Sequence, residues 1–316
     1  MYSQIAGTGS CLPEKVLTNH DLERQMDTSD AWIRERTGIV KRHIVADHQG
    51  TVDLAEPAAR AAIAAAGLEP TEIDLIVFAT STPDLIFPNC GVLLQQRLGC
   101  AGGAAFSVEA ACSGFVYALS VADKFVKAGE ARNALVVGAE TMSRITDWTD
   151  RGTAVLFADG AGAVVLKAGE APGILSTHLH ADGSYKDLLY CPGGPARRTD
   201  PGIIKMAGSE VFKIAVITLG KAVEEALAAN GLARDAVDWL VPHQANIRII
   251  QATARRLDLP MDKVIVTVQD HGNTSAASIP LALDVGIRDG RIKRGELLLL
   301  EAFGGGFTWG SALVRY

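Results

Sequence analysis

The thiol of Cys112 is the first of three side chains whose type and setting could support covalent chemistry. It lies in Ala-Ala-Cys112-Ser-Gly-Phe, between a predicted buried strand and a predicted helix. Backbone N–H groups and the positive helix end there favour a thiolate by about 0.3–1 kcal/mol. Because one pKa unit is about 1.4 kcal/mol, stronger activation would need a histidine or a dry, preorganised site. The alternative is a buried structural cysteine, the commonest state of a free thiol.

The second candidate, His243, lies in Val-Pro-His243-Gln-Ala-Asn at the end of a predicted strand. Ligands bind at the strand ends of α/β sheets. A neutral imidazole there can donate its Nε2 proton to a developing oxyanion, or it can shuttle a proton. A hydrogen-bonded structural histidine is the alternative.

The third candidate, Asn273, lies in His271-Gly-Asn-Thr-Ser-Ala, where an ordinary helix N-cap is the alternative. His271 is an equal candidate by residue type. Nearer the carboxyl end, Gly304-Gly-Gly306 follows a predicted strand. These glycines are either a simple turn or a place where a backbone N–H approaches a reacting carbonyl.

An internal repeat favours Asn273 over His271. Shifting the sequence by 161 residues places Cys112 on Asn273, and the same shift aligns two further pairs: Asp123 with Asp284 and Gly129 with Gly290. Segments 62–77 and 226–241 agree at a shift of 164, and 157–165 resembles 307–314. The sequence therefore predicts a fused duplicate with a pseudo-twofold axis and a centre lined from both halves.

The elements that would position these residues alternate between short apolar runs and helical segments. The predicted strands are 74–79, 105–109, 134–139, 239–242, 264–268 and 297–300, and the predicted helices are 51–66, 112–128, 208–230, 246–257 and 273–288. The helices at Cys112 and Asn273 have small and apolar residues on most faces, so each helix is expected to lie between two sheets. We expect an α/β fold in five layers, α/β/α/β/α. The halves would be residues 1–170 and 171–316.

Composition narrows the function classes. The 316 residues suffice for two domains or one large duplicate, and 48% hydrophobic residues with 32 glycines fit a compact α/β protein. A net charge of −6 disfavours nucleic-acid binding. No basic leader and no apolar run long enough to span a membrane are apparent. The five cysteines show no disulfide or zinc spacing, which predicts a cytoplasmic enzyme with free thiols and no metal.

The four motifs together resemble those of the β-ketoacyl-acyl-carrier-protein synthase III family, from end to end, including Gly-Ile-Xaa-Xaa-Arg42 and the terminal hairpin. The resemblance implies the thiolase fold and a homodimer. It also implies that Cys112 takes an acyl group from acyl-CoA, with acetyl-CoA expected, while the N–H groups of Cys112 and Gly305 hold the oxyanion. His243 and Asn273 would stabilise the enolate formed when malonyl-acyl carrier protein loses CO₂. Decarboxylation supplies the carbanion, so CoA thioesters are substrates and no cofactor is expected.

The resemblance also assigns binding residues. Positions expected to contact CoA or pantetheine are Thr28, Trp32, Arg36, Thr37, Arg151, Gly208, Phe212, Ala245 and Asn246. Trp32 would offer a stacking face and Arg36 a phosphate fork, whereas a packed aromatic and a solvated charge are the alternatives. The acyl pocket would be closed by Phe87 from the dimer partner, which favours a short primer, and tuned by Met142, Leu189 and Met206.

Four basic residues are candidates for docking the acidic carrier protein: Lys213, Arg248, Arg255 and Arg256. Arg248 and Arg255 are seven residues apart and share a helix face, and no acid intervenes. A basic island on an acidic protein would suit an acidic partner. Solvated charges without a partner are the alternative.

For each rival function, the sequence lacks a feature that the function requires. A thiolase would need a second cysteine before the final glycines, where Glu301-Ala-Phe-Gly stands, and a hydroxymethylglutaryl-CoA synthase would need a glutamate where Thr80-Ser-Thr stands. Cys, His and Asn in this order also fit a papain-like hydrolase, but the sequence around its cysteine is absent and a duplication has no place in that fold. Condensing enzymes of secondary metabolism with another primer, and a non-catalytic carrier-binding relative, stay open.

Overall fold

The computed structural model describes residues 1–100, 102–196 and 202–316. The strands are β1 (Tyr2–Cys11), β2 (Lys15–Thr18), β3 (Lys41–Ile44), β4 (Leu75–Ala79), β5 (Ala104–Val108), β6 (Asn133–Thr141), β7 (Asp159–Gly169), β8 (Ile174–Ala181), β9 (Leu189–Tyr190), β10 (Lys205–Met206), β11 (Trp239–Pro242), β12 (Leu297–Gly304) and β13 (Thr308–Arg315). The helices are α1 (Asn19–Glu23), α2 (Asp30–Thr37), α3 (Thr51–Ala65), α4 (Cys90–Leu98), α5 (Gly114–Ala128), α6 (Arg151–Ala154), α7 (Gly208–Ala229), α8 (Ile247–Arg256), α9 (Val268–His271) and α10 (Ser278–Arg288).

Two mixed sheets form the frame of the molecule. The first has the order β1-β7-β6-β4-β5 and the second the order β8-β13-β12-β11, so the two sheets divide the chain between β7 and β8. In the first, β4 runs parallel to β5 and β6, and β7 is antiparallel to its neighbours. In the second, β12 runs parallel to β11 and antiparallel to β13. Every residue of β4 and β12 is buried, as their apolar runs predict.

Five layers result, which confirms the predicted α/β/α/β/α arrangement. Helices α5 and α10 pack between the sheets in one core cluster that includes residues of β4, β6, β12 and β13. Helices α3 and α4 cover the outer face of the first sheet, and α7 and α8 cover that of the second. The proposed boundary at 170/171 falls in the connection from β7 to β8 and stays a prediction.

The predicted strand at 264–268 is wrong. Only its first residue pairs, through a single bridge to Leu240 beside β11. The side-chain amide of Gln244 binds the next backbone groups: Nε2 donates to the carbonyl of Ile265 at 3.1 Å, and Oε1 accepts from the N–H of Thr267 at 2.8 Å. Because one side chain satisfies these groups, the ladder ends after one pair.

The predicted equivalence of Cys112 and Asn273 is also wrong, by three residues. A short 3₁₀ turn precedes each central helix, Ala111–Ser113 before α5 and Ser275–Ala277 before α10. Each turn begins at a residue with positive φ, 45° in the first and 49° in the second. These two residues are 164 apart, so Asn273 lies three positions before the equivalent of Cys112. The predicted helices accordingly begin later than expected, α5 at Gly114 and α10 at Ser278.

The duplication itself is supported at other positions. Gly67 and Gly231 follow α3 and α7 and adopt φ values of 65° and 63°, in agreement with the shift of 164. The shift falls from 164 to 161 at the glycines after the central helices, Gly129 and Gly290, because α10 is four residues shorter than α5 and one additional residue, Asp289, precedes Gly290. Within the described residues, no helix is both long and apolar enough to cross a bilayer.

Candidate active site

One cavity of about 680 Å³ is lined by Cys112, His243 and Asn273 together. Cys112 comes from the turn after β5, His243 from the end of β11, and Asn273 from the turn before α10. Both sheets therefore contribute to the site, as the repeat predicts. His271, the rival candidate, does not line this cavity.

Cys112 is buried at the amino end of α5. Burial raises the pKa of its thiol to about 12, a hydrogen bond from Ser275 lowers it, and the carboxylates of Glu140 and Glu109 raise it. The helix end alone therefore does not ionise the thiol at neutral pH. Formation of a thiolate needs a group that accepts the proton.

His243 is buried, and burial lowers the pKa of its imidazole to about 3, so the ring is neutral at physiological pH. Its Nδ1 lies 2.6 Å from the hydroxyl of Ser278, and the N–H of Gln244 donates to that same hydroxyl at 3.3 Å. No other acceptor for the Ser278 proton is found among the described residues, so we assign that proton to Nδ1, which leaves the imidazole proton on Nε2. A neutral ring with Nε2–H is a hydrogen-bond donor for an oxyanion.

The backbone of Asn273 is fixed by hydrogen bonds to the segment after α6. Its N–H donates to Leu156 at 2.9 Å, and its carbonyl accepts from Ala158 at 3.0 Å. Its Oδ1 accepts from the N–H of Ser275 at 3.0 Å, so the amide nitrogen remains as a donor. Asn273 is not a helix N-cap, because α10 is capped at Ala277.

The glycine run after β12 approaches the nucleophile closely. A Cβ on Gly304 would lie 2.7 Å from the nitrogen of Cys112, so only glycine fits there. A Cβ on Gly305 would instead meet the carbonyl of Leu189 at 2.8 Å, and Gly305 does not line the cavity. The structure therefore places Gly304 nearest the Cys112 N–H, and an oxyanion contact from Gly305 stays a prediction.

The mouth of the cavity contains eight of the nine positions expected to contact CoA: Trp32, Arg36, Thr37, Arg151, Gly208, Phe212, Ala245 and Asn246. The guanidinium of Arg151 lies 4.7 Å from the Trp32 ring centroid and that of Arg36 lies 5.9 Å away. An aromatic ring beside two guanidinium groups suits a heteroaromatic base carrying phosphates. Thr28 lies outside the cavity, and its buried hydroxyl has no hydrogen-bond partner among the described residues.

The expected acyl-pocket residues divide into three groups. Leu189 and Met206 line the cavity, whereas Met142 is buried behind it against Phe157. Phe87 is 83% exposed in this single chain and lies outside the cavity. Its neighbours Leu85 and Ile86 are also exposed apolar residues.

The four basic candidates for carrier docking lie in two different places. Lys213 and Arg248 line the mouth of the cavity, and the Arg248 guanidinium lies 5.1 Å from the Phe212 ring centroid. Arg255 and Arg256 are exposed at the far end of α8 and do not reach the mouth.

In the described part of the chain, no group of three or more His, Cys, Asp or Glu side chains could hold a metal ion.

Comparison with known proteins gives the family. Residues 106–183 match the model for 3-oxoacyl-[acyl-carrier-protein] synthase III, and residues 227–316 match the model for its C-terminal part. A β-ketoacyl-[acyl-carrier-protein] synthase III of Xanthomonas campestris pv. campestris is 65% identical over 321 residues, covering 100% of this chain and 99% of the relative. The chain belongs to the β-ketoacyl-[acyl-carrier-protein] synthase III family. A relative in Thioalkalivibrio sulfidiphilus, with the same name and coverage, is 62% identical.

Solved structures agree with this synthase III assignment. A 3-oxoacyl-[acyl-carrier-protein] synthase III from Aquifex aeolicus superposes with a TM-score of 0.95 at 48% identity, covering 99% of this chain and 100% of that one. A priming β-ketosynthase from the R1128 polyketide biosynthetic pathway gives 0.94 at 36% identity, covering 99% and 96%. The fold is thus the thiolase-like one that the sequence predicts.

Two serines of this synthase III chain contact the central residues, and neither has a predicted role. The Ser278 hydroxyl bonds Nδ1 of His243, the backbone N–H of Ser275 donates to Oδ1 of Asn273, and the Ser275 hydroxyl lowers the pKa of the Cys112 thiol. A signal was present in the sequence, since both serines interrupt an otherwise apolar segment that is predicted to be buried. Phe303 lines the cavity as well and was not predicted to do so.

Proposed function

We propose that this protein condenses an acyl-CoA primer, acetyl-CoA, with malonyl-acyl carrier protein. The products are 3-oxoacyl-acyl carrier protein, CoA and CO₂, and the reaction initiates type II fatty-acid synthesis. The observation that carries the proposal is the single cavity in which a thiol, a neutral imidazole and a carboxamide meet below a Trp–Arg mouth. The names of relatives at 62–65% identity support the same reaction.

In the first stage, the Cys112 thiolate attacks the thioester carbonyl and forms a tetrahedral oxyanion. The oxyanion is held by the N–H of Cys112 together with an N–H of the glycine run, assigned to Gly305. Loss of the CoA thiolate leaves an acyl group on Cys112. CoA thioesters are the substrates, and the eight mouth residues bind the CoA.

In the second stage, malonyl-acyl carrier protein loses CO₂, and the electron pair of the broken carbon–carbon bond forms an enolate. His243 and Asn273 donate hydrogen bonds to the enolate oxygen, through Nε2–H and the amide nitrogen. The carbanion attacks the acyl carbon, and Cys112 leaves as a thiolate. Because CO₂ loss generates the carbanion, the step needs no metal and no strong base.

The partners follow from the same assignment. The carrier protein docks at the mouth on Lys213 and Arg248, with Arg255 and Arg256 further along α8. The protein acts as a cytoplasmic homodimer in which Phe87 reaches the partner's acyl pocket. The exposed apolar residues at 85–87 support that contact.

A second candidate is the same chemistry with another primer in a secondary-metabolite pathway. The similarity to the R1128 priming β-ketosynthase favours it. The hydrolase alternative finds no support, because the duplicated two-sheet fold and the relatives all point to synthases.

The test is incubation with acetyl-CoA and malonyl-acyl carrier protein, with CO₂ and the 3-oxoacyl product both measured. We expect equal amounts of CO₂ and product from the wild-type protein, and no CoA release from Cys112→Ser. Acetate release without a condensed product would favour a hydrolase. A panel of acyl-CoA primers in the same assay distinguishes the two synthase candidates.

A further inference from the structure

The side-chain amide of Gln244 is buried, does not line the cavity, and has no part in either stage of the reaction. It makes four hydrogen bonds, all to backbone groups. Nε2 donates to the carbonyls of Pro242 at 2.8 Å and Ile265 at 3.1 Å. Oε1 accepts from the N–H groups of Thr267 at 2.8 Å and Val268 at 3.1 Å. A primary amide has two N–H donors and two acceptor sites on its oxygen, so the full hydrogen-bonding capacity of the side chain is used.

These bonds join the end of β11 to the beginning of α9. Pro242 is the last residue of β11, and His243 follows it. Val268 is the first residue of α9. The segment before α9 pairs with β11 only through a single bridge between Leu240 and Val264. Beyond that bridge, the Gln244 amide connects the strand to the helix where backbone pairing does not.

Asn273 is connected to the other end of α9, which is a single helical turn. It lies two residues after the helix, across Gly272, whose N–H donates to the first carbonyl of the helix at 3.0 Å. Gly272 has a φ of 72°, and a Cβ there would lie 2.9 Å from the Cβ of Ala158, so this connection is short and tightly packed. The contacts from His243 to Asn273 therefore pass through the Gln244 amide and one helical turn.

We propose that Gln244 is a positioning residue that sets the distance between His243 and Asn273 for decarboxylation. The enolate oxygen must receive both donors at once, and each donor must lie within about 2.7–3.1 Å of it. A displacement of about 1 Å costs about 10²-fold in rate. Without the four hydrogen bonds, α9 is free to shift relative to β11, and the two donors no longer meet at one oxygen. The proposal rests on the proposed function, because it requires these two residues to act together on the enolate.

The test is CO₂ release from malonyl-acyl carrier protein on enzyme already acetylated, measured for Gln244→Met. Methionine fills a similar volume but makes none of the four hydrogen bonds. We expect CO₂ release to slow by about 10²-fold. Release of CoA in the acylation stage should change by less than about threefold, because acylation uses neither donor. Gln269→Met is the matched control, since Gln269 lies on α9 and its side chain donates to the carbonyl of Val266 at 3.3 Å. That control should leave both steps unchanged.

A double-mutant cycle separates positioning from a general loss of structure. In an Asn273→Ala background one of the two donors is already absent, so adding Gln244→Met should slow CO₂ release by less than about threefold more. If the added cost stays at about 10²-fold in that background, or if Gln244→Met lowers CoA and CO₂ release equally, the role is structural and the proposal is overturned.

Gln244→Glu provides the same test if the methionine variant does not fold. An ionised carboxylate keeps the two acceptor bonds and loses the two donor bonds, so the same selective slowing of CO₂ release is expected. A wild-type protein that releases no CO₂ would instead defeat the proposed function. Normal wild-type release with an unslowed, folded Gln244 variant defeats only the positioning role.

Discussion

The hydroxyl of Ser278 determines which nitrogen of His243 carries the proton, and its removal should slow decarboxylation selectively. Ser278 lies 2.6 Å from Nδ1 and accepts from the N–H of Gln244 at 3.3 Å. In Ser278→Ala, Nδ1 loses its donor and the tautomer with the proton on Nδ1 becomes accessible. That tautomer presents a lone pair, not a donor, to the enolate.

The size of the effect follows from the buried hydrogen bond that is lost. Leaving a buried polar group without its partner costs about 1–3 kcal/mol. With about 1.4 kcal/mol per tenfold change in rate, CO₂ release should slow by roughly 5- to 150-fold. Release of CoA in the acylation stage should stay near the wild-type rate, because that stage does not use Nε2–H.

The assay separates the stages by adding labelled malonyl-acyl carrier protein to enzyme that already carries an acetyl group. Ser311→Ala is the control, because Ser311 is also buried and donates to a backbone carbonyl on α7, away from the cavity. Equal loss of CoA and CO₂ release in Ser278→Ala would show general destabilisation. An unchanged CO₂ rate would refute the tautomer argument. Ser275→Ala should give the opposite pattern, with CoA release slowed, because it removes the hydrogen bond that lowers the pKa of the Cys112 thiol.

Three further outcomes are expected. Asn273→Ala removes one oxyanion donor worth about 2.7–4 kcal/mol, so CO₂ release should fall by roughly 10²–10³-fold with acylation retained; lost acylation with retained decarboxylation would reverse the assignment. Trp32→Ala removes a stacking face worth about 1–3 kcal/mol and should raise KM for acetyl-CoA by about tenfold at similar kcat; a lower kcat alone would contradict this. Burial raises the pKa of Glu301 from 4.5 to about 8, so the folded state keeps a proton that the unfolded state loses, and stability falls as pH rises through that window. Glu301→Gln should therefore lose less free energy of unfolding between pH 5 and 9 in urea titrations, by several kcal/mol at about 1.4 kcal/mol per unit; parallel curves would contradict it.

The layered fold could be predicted because the apolar runs and the repeat are local features of the sequence. The repeat misled at one position, where it aligned Cys112 with Asn273. Helix ends are marked by glycine, and that signal gave a shift of 161, whereas the two turns before the helices agree at 164. A sequence comparison cannot detect that one helix is four residues longer than the other when the turns before them differ in residue type.

The contacts that complete the site could not be predicted, because they join residues that are distant in sequence. Ser275 and Glu140 are 135 residues apart, and Ser278 and His243 are 35 apart. The predicted strand at 264–268 is wrong for a similar reason, because the side chain of Gln244 bonds the backbone of that segment from more than 20 residues away. Polar residues in apolar runs indicated that partners existed, but only the tertiary structure identifies them.

The location of the acyl group tests the central assignment most directly. The protein would be incubated with labelled acetyl-CoA, digested, and its five cysteine positions read by mass spectrometry before and after malonyl-acyl carrier protein is added. We predict the acetyl mass on Cys112 alone and its complete transfer into the 3-oxoacyl product, with one CO₂ released per label. Label on another cysteine, or label released as free acetate, would contradict the account.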